Sequence, residues 1–229
     1  MISVLMSVLN GEETLERSLK SILVQTYDDF EFLIMDDCSN DGTIDILDHY
    51  KNADSRIKVF KNNENLGLTK SLNILATKAS GEFFARQDCD DYSDKNRFKE
   101  QIKYLINENF DVCTTRAREI DTRRIIPGYS FYIPNGIILE LKNPFIHGTL
   151  LIKKSVFNEC GNYDENFYFA QDYKLFLEII KKGFKVKSLR EPLYYLNMKD
   201  NISSKFQSEQ EYYFACAKKG ITPIYNNFS

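Results

Sequence analysis

Two strand-like runs constrain this chain most: the continuous apolar "ISVLMSVL" at 2–9, and "FEFLIMDD" at 30–37, which ends in acid. Runs that do not alternate with polar residues belong to strands buried on both faces, as in a parallel sheet covered by helices. Between them, Asn10-Gly11 marks a turn, and "ETLERSLKSILVQ" sets Leu15, Leu19, Ile22 and Leu23 at helical spacing. The same alternation continues downstream. "SNDGT" is turn chemistry, with Thr43 the expected N-cap of the helix "IDILDHYK". "RIKVFKN" reads as a third strand, and Asn65-Leu66-Gly67 as a turn before the helix "TKSLNILATKA". "GEFFARQ" is a fourth strand, "NRFKEQIKYLINE" a helix and "DVCTTRA" a fifth strand. Strand and helix in turn, joined by short loops, predict an α/β fold with an open, mostly parallel sheet flanked by helices.

After about residue 117 the pattern loosens. Pro127, Gly128, Pro134, Gly136 and Pro144 punctuate an irregular stretch over 118–146. Beyond it, "LLIKKSVFNEC" reads as strand then helix, "QDYKLFLEIIKKG" as a helix closed by Gly183, and "FKVKSL" and "PLYYLN" as two short strands. "SEQEYYFACAKKG" closes the pattern as an amphipathic helix. At 229 residues, one domain over 1–229 is expected, with two packed halves at about 1–112 and 113–229.

Charge divides along the same line. Residues 1–110 carry 13 Lys and Arg against 20 Asp and Glu; residues 111–229 carry 17 against 13. An acidic half suits a cation and a basic half suits an anionic partner or membrane surface, although two solvated faces account for the imbalance equally well. No dense basic patch with interleaved aromatics points to nucleic acid. The five cysteines are scattered without a CxxC pair, so a reducing cytoplasm is expected rather than a disulfide framework or zinc site. "MISVLMSVLNGEE" lacks a signal peptide's basic start, and no run approaches the roughly 20 apolar residues that span a bilayer. The expectation is a soluble or peripherally attached protein.

Ligands of open α/β sheets bind beyond the carboxyl ends of the strands, and two acidic clusters fall there. Asp36-Asp37 closes the second strand, either as turn acids or as acceptors for a nucleobase N–H or a ribose hydroxyl. Asp88-Cys89-Asp90-Asp91 follows the fourth. On extended backbone Asp88 and Asp90 would point to one side, suiting a shared hard cation or a nucleotide. The alternative is a solvated loop, with Ser93 or Asp94 capping the helix that follows. Asp172 opens a helix, where an N-capping Asp is the commoner role.

Together these stretches resemble family 2 glycosyltransferases. "SVLNGEETLERSLKSILVQTYDDFEFLIMDDCSNDGT", "NLGLTKSLNILATKASGEFFARQDCDD", "HGTLLIKKSVF" with "GNYDE", and "AQDYKLFLEI" occur in the family's order, over about residues 2–204. The resemblance implies the GT-A (Rossmann-like) fold, a nucleotide-sugar-binding half, an acceptor-binding half and inverting transfer from a nucleotide sugar, UDP first among carriers. The acceptor it implies is a saccharide or a lipid-linked saccharide in surface polysaccharide synthesis. Leu9, Asn10, Glu12, Asp37, Lys70 and Asp88 would contact the nucleotide, and Asp90 with Asp91 would hold Mn²⁺ or Mg²⁺. Asp172, in Gln171-Asp172, would be the catalytic base, with His147, Gln171 and Lys199 near the sugar or acceptor. His147 reads equally as a structural histidine. Gln171 stands where a Glu is usual, and Asn197 and Lys199 stand where the family often has other basic residues. Lys181, Lys182, Lys185, Lys187 and Arg190 form a candidate contact with anionic headgroups at the cytoplasmic membrane face. With no membrane helices appended, a processive synthase with its own channel is not expected. A nucleotidyltransferase would show a Gly-rich basic phosphate loop where "LNGEETLE" stands. A receiver-type domain would be about half as long, and a degenerate nucleotide-sugar-binding module would not need Asp37, Asp88, Asp90 and Asp172 together.

Overall fold

A computed structural model gives the structure of residues 1–199 and 206–224. Its first part runs as β1 (Ile2–Val8), α1 (Leu15–Leu23), β2 (Phe30–Asp36), α2 (Thr43–Ala53), β3 (Ile57–Lys61), α3 (Leu68–Lys78) and β4 (Phe83–Arg86). These strands pair in parallel, β1 between β2 and β4, with Ile2 opposite both Phe30 and Phe83. Because side chains alternate along a strand, Val4, Met6, Phe32 and Ile34 pack beneath α1 with Leu15 and Leu19. Leu5, Leu33 and Met35 enter the opposite layer with Leu72 and Leu75 of α3. Both faces are therefore covered, as the largely apolar runs require, and the carboxylate of Glu31, within β2, is met by Ser3 and Lys58.

The second part extends the same sheet. β5 (Tyr92–Ser93) and α4 (Arg97–Asn107) precede β6 (Val112–Glu119), β7 (Ile125–Ile126) and the short α5 (Asn135–Ile138). β8 (Leu151–Lys153), α6 (Lys154–Glu159), α7 (Gln171–Lys181), β9 (Val186–Leu196) and α8 (Gln207–Lys219) complete it. The strand order is β3-β2-β1-β4-β8-β6-β9-β5, with β7 on β6. The pairs β4–β8, β8–β6 and β5–β9 are antiparallel, whereas β6 and β9 are parallel. The sheet is thus mixed, mostly parallel and curled. α7 and α8 cover one face, where Phe176 stacks on Phe145 and Tyr173 on Phe214. Among the described residues no helix is long and apolar enough to cross a membrane.

Four local expectations change. "FKVKSL" and "PLYYLN" form one strand, β9, carried through an irregularity at which Thr115 faces Leu189 and Arg116 faces Pro192. Thr43 does not cap α2; its Oγ1 accepts the Gly11 N–H at 2.8 Å, while Asp41 accepts the Thr43 N–H. Helix α4 starts at Arg97, and Asp94 accepts the Asn96 N–H just ahead of it. β4 ends at Arg86, so Asp88 to Asp90 lie in a turn, not on extended backbone. β4 and β5 belong to distant positions in the sheet order, yet few residues join them.

Candidate active site

A cleft of about 770 Å³ opens beyond the carboxyl ends of β1, β2 and β4. Leu9, Asn10 and Gly11 line one wall, Asp37, Asn65 and Gly67 a second, and Asp88, Cys89 and Asp90 the floor. The first wall is braced from below: Asn10 accepts the Asn40 N–H, and Glu12 accepts the Gly42 N–H. Glu12 is spent on that brace and lies outside the lining. Asp37 accepts three hydrogen bonds from its own chain, from Asn62 at 2.7 Å, Leu66 N at 2.9 Å and Gly67 N at 2.8 Å. Gly67 sits at φ +83, which favours glycine, and its amide reaches Asp37 as a result. Asp37 therefore shapes the wall, and about one lone-pair site remains to face the cleft.

The floor is held by buried cations. Arg86, 2% exposed, donates to Leu5 O at 2.6 Å and Gln87 O at 2.9 Å and pairs with the Asp88 carboxylate. Arg97 donates to Gly148 O and Arg86 O; burial lowers it to about 10, so it keeps its charge at neutral pH. Tyr194, from β9, accepts the Asp88 N–H at 3.2 Å and bonds Asp91. Asp91 also accepts the Asn197 N–H at 2.7 Å and is 2% exposed. Burial and the charges of Asp88 and Asp90 raise its carboxyl well above the usual range. Asp91 is thus placed beneath the loop, away from the cleft in which a metal ligand is expected. Asp90 faces the cleft, its carboxyl raised to about 6 by burial and then by Asp88.

Asp172 occupies the first turn of α7, just after Ala170, whose left-handed backbone (φ 53) turns the chain into the helix. The carboxylate accepts one side-chain hydrogen bond, from Asn143 Nδ2 to Oδ2 at 2.8 Å. Against the effect of burial, the backbone N–H groups at the helix start lower its carboxyl. Asn143 is itself oriented, since its Oδ1 accepts the Phe145 N–H. Burial raises the Asp172 carboxyl to about 6, and Asp88 is near enough to add to that rise. A second cavity of about 560 Å³ opens on Asp172, between Leu141, Lys142 and Asn143 on one side and Tyr173, Gln210 and Phe214 on the other.

The remaining expected residues divide. Lys199 lines the first cleft, with its ammonium 3.7 Å from Asp121. Lys70 is exposed on α3 and lines neither cavity. Gln171 is buried beside the base position. His147 bonds Tyr163 Oη at 2.7 Å through Nε2; burial, then Arg86, lowers it to about 3, so it is neutral. It lines neither cavity. Lys181 and Lys182 close α7 at the end opposite Asp172, and Lys187 lies over Tyr104 and Phe110, so that basic cluster faces away from the site. Four contributors escaped sequence reasoning: Arg17, which lines the cleft and donates to Asp90 O, together with Arg86, Tyr194 and Asn143. Only Arg86 left a signal, as a cation ending a buried strand.

The donors present fit a hard divalent cation. Such ions take oxygen ligands and often only one or two carboxylates, with water and phosphate completing the shell. Asp90 offers a carboxylate that is costly to ionise without a nearby positive charge, and Asp88 adjoins it. Among the described residues no three or more His, Cys, Asp or Glu side chains are grouped so as to hold a metal ion by themselves.

The profile of glycosyl transferase family 2 matches residues 3–163, and the chain belongs to that family. It is 33% identical over 230 residues to the O-antigen biosynthesis glycosyltransferase WbnJ of Escherichia coli, covering 96% of this chain and 87% of WbnJ. It is 31% identical over 185 residues to the Escherichia coli UDP-Glc:alpha-D-GlcNAc-diphosphoundecaprenol beta-1,3-glucosyltransferase WfgD, covering 79% and 70%. Among solved structures, the mannosyltransferase PcManGT of Pyrobaculum calidifontis, in complex with GDP-Man and Mn²⁺, superposes with a TM-score of 0.77 at 19% identity. That match covers 97% of this chain but 65% of PcManGT, somewhat under two thirds of its length. The fold is GT-A and the protein is a glycosyltransferase. The nucleotidyltransferase alternative is thereby set aside.

Proposed function

We propose that this chain transfers a sugar, with inversion, from a UDP-sugar to a hydroxyl of a saccharide or lipid-linked saccharide during surface polysaccharide synthesis. The observation that carries the reading is the placement of three acids on two cavities: Asp88 and Asp90 floor the first, and Asp172, close enough to Asp88 for that charge to help raise its carboxyl, opens on the second. The first cavity takes the nucleotide, with Leu9, Asn10 and Asn65 around the base and ribose and Asp37 setting the wall behind them. The half ending near residue 112 is the donor side, and the remainder supplies the acceptor side. Asp90 with Asp88 would hold Mn²⁺ or Mg²⁺, which when bound neutralises charge on the departing diphosphate. Arg17 and Lys199 add positive charge at the same mouth.

Asp172 Oδ1, left open by Asn143 on Oδ2, takes the proton of the acceptor hydroxyl. The hydroxyl oxygen forms its bond to the anomeric carbon as the bond to diphosphate breaks on the opposite face. The diphosphate leaves with the electron pair. Support for UDP and for a lipid-linked acceptor comes from WfgD's stated reaction, and support for the cation from PcManGT's complex. The free cysteines suit a reducing cytoplasm, where nucleotide sugars are made available.

A screen of nucleotide sugars with Mn²⁺ or EDTA, read by thermal shift and slow donor hydrolysis, tests this. One UDP-sugar should stabilise the protein and be hydrolysed only with the cation. Stabilisation by no nucleotide sugar, or hydrolysis unaffected by EDTA, would overturn the donor or the metal reading respectively.

A further inference from the structure

The segment between β7 and the Asp172 cavity turns its apolar side outward. Backbone bonds from Ile138 N to Pro134 O, Leu139 N to Asn135 O and Lys142 N to Ile138 O carry helical turns through this stretch. At that spacing Ile137 and Leu141 share one side; both are exposed, as is Ile133 on the extended backbone just ahead of the helix, whereas Ile138 and Leu139 are buried. Tyr132 and Tyr129 continue the ridge, Tyr129 being 95% exposed. A soluble helix normally buries such a stripe, and a contiguous exposed one marks an interaction surface.

Cations fringe it. Arg190, which bulges from β9, lies 5.8 Å from the centre of the Tyr132 ring. Arg123, Arg124 and Lys142 are exposed in the same stretch of chain, Arg124 with its Nε 3.5 Å from Glu119, and the exposed Glu191 follows Arg190. The acid on the ridge, Glu140, is paired with Lys218, and Asp121 is paired with Lys199. Leu141 and Lys142 belong both to the ridge and to the rim of the Asp172 cavity.

We infer that this ridge docks the enzyme on an anionic phospholipid bilayer. Aliphatic side chains enter the acyl boundary, tyrosines settle at headgroup depth and arginines meet the anionic headgroups. A saccharide seated against Asp172 would then have its lipid carrier leave past Leu141 into the bilayer. The inference rests on the lipid-linked acceptor proposed above, and it moves the membrane contact away from the Lys181–Lys187 cluster.

Flotation of the full chain with phosphatidylcholine vesicles, with and without phosphatidylglycerol, tests it. The wild type should float with the anionic vesicles at low salt, less so at high salt. The variant Tyr129→Ser/Ile133→Asn/Ile137→Asn, which leaves both cavities intact, should bind about tenfold less or weaker still. Its donor hydrolysis without vesicles should be unchanged. Arg123→Ser/Arg124→Ser should lose the preference for phosphatidylglycerol while keeping the weak binding to phosphatidylcholine. A wild type that does not float, or a triple variant that floats equally, overturns the inference. So does a concentration-dependent dimer that the triple variant abolishes in place of any vesicle binding. Donor hydrolysis in vesicle-free solution reads the catalytic proposal separately, so loss of either result identifies which reading has failed.

Discussion

The two walls of this site are built by different means. On the donor side, Asp37, Asp88 and Asp90 follow strands whose ladders and dry faces fix their ends, and each loop is tied down by several hydrogen bonds. On the proposed acceptor side, Asp172 rests on a helix entry with one side-chain donor, Asn143, supplied by an irregular segment. Under the proposed function, the first must hold a diphosphate with little play, and the second, as a base, is held more lightly.

The largest test of this contrast is Asp172→Asn. Transfer should fall about 10²–10⁴-fold, while thermal stabilisation by the donor persists, because the donor wall is untouched. The same variant should be more stable than wild type at pH 8. A carboxyl raised from its ordinary value to about 6 contributes stability below about pH 4 and loses it as pH rises through 6. The melting-temperature gain should therefore vanish near pH 4. Asp90→Ala should do the opposite to binding, removing the cation-dependent part of donor affinity in titrations with and without Mn²⁺.

Smaller effects probe the supports. A Cβ on Gly148 would lie 2.2 Å from Tyr194 Oη, within the contact that lets Tyr194 reach Asp88. Gly148→Ala should cost about 1–3 kcal/mol by overpacking. Tyr194→Phe should cost a similar or smaller amount, about 1–3 kcal/mol, by leaving the Asp88 N–H and Asp91 short of a partner. Denaturant melts measure both, and the Tyr194→Phe protein should show weaker donor binding with its base limb unmoved. The mildest change is Asn143→Ala. Loss of a donor to the ionised carboxylate moves the acidic limb of kcat/KM upward from about 6. Activity should fall several-fold at pH 6 and little at pH 8; an unmoved limb would remove Asn143 from that role.

Much of the donor wall was legible before the structure. β1 through α4 match the apolar runs and helical periodicities, because buried parallel strands and amphipathic helices imprint local patterns. Leu9, Asn10, Asp37, Asp88 and Asp90, which the resemblance assigns to nucleotide or metal, line the cleft. Glu12 and Lys70 do not, since Glu12 braces the Gly42 turn and Lys70 points from the exposed side of α3. Asp91 is adjacent in sequence to Asp90 yet turned inward, which only Tyr194 of β9 and Asn197 just beyond it explain. β9 read as two strands because Pro192 interrupts its pattern, and pairing with β6 carries it through the irregularity.

By itself the sequence determined the layered α/β fold, the strand-end position of the acids and, through its ordered motifs, the family. Those are properties of local periodicity and of residue type at turns. Tertiary structure alone decided that a tyrosine and two arginines would hold the acidic loop. It also decided that Asn143 would orient Asp172, and that Ile133, Ile137 and Leu141 would face outward. Each of these depends on contacts between residues distant in the chain, whose partners no local spacing specifies.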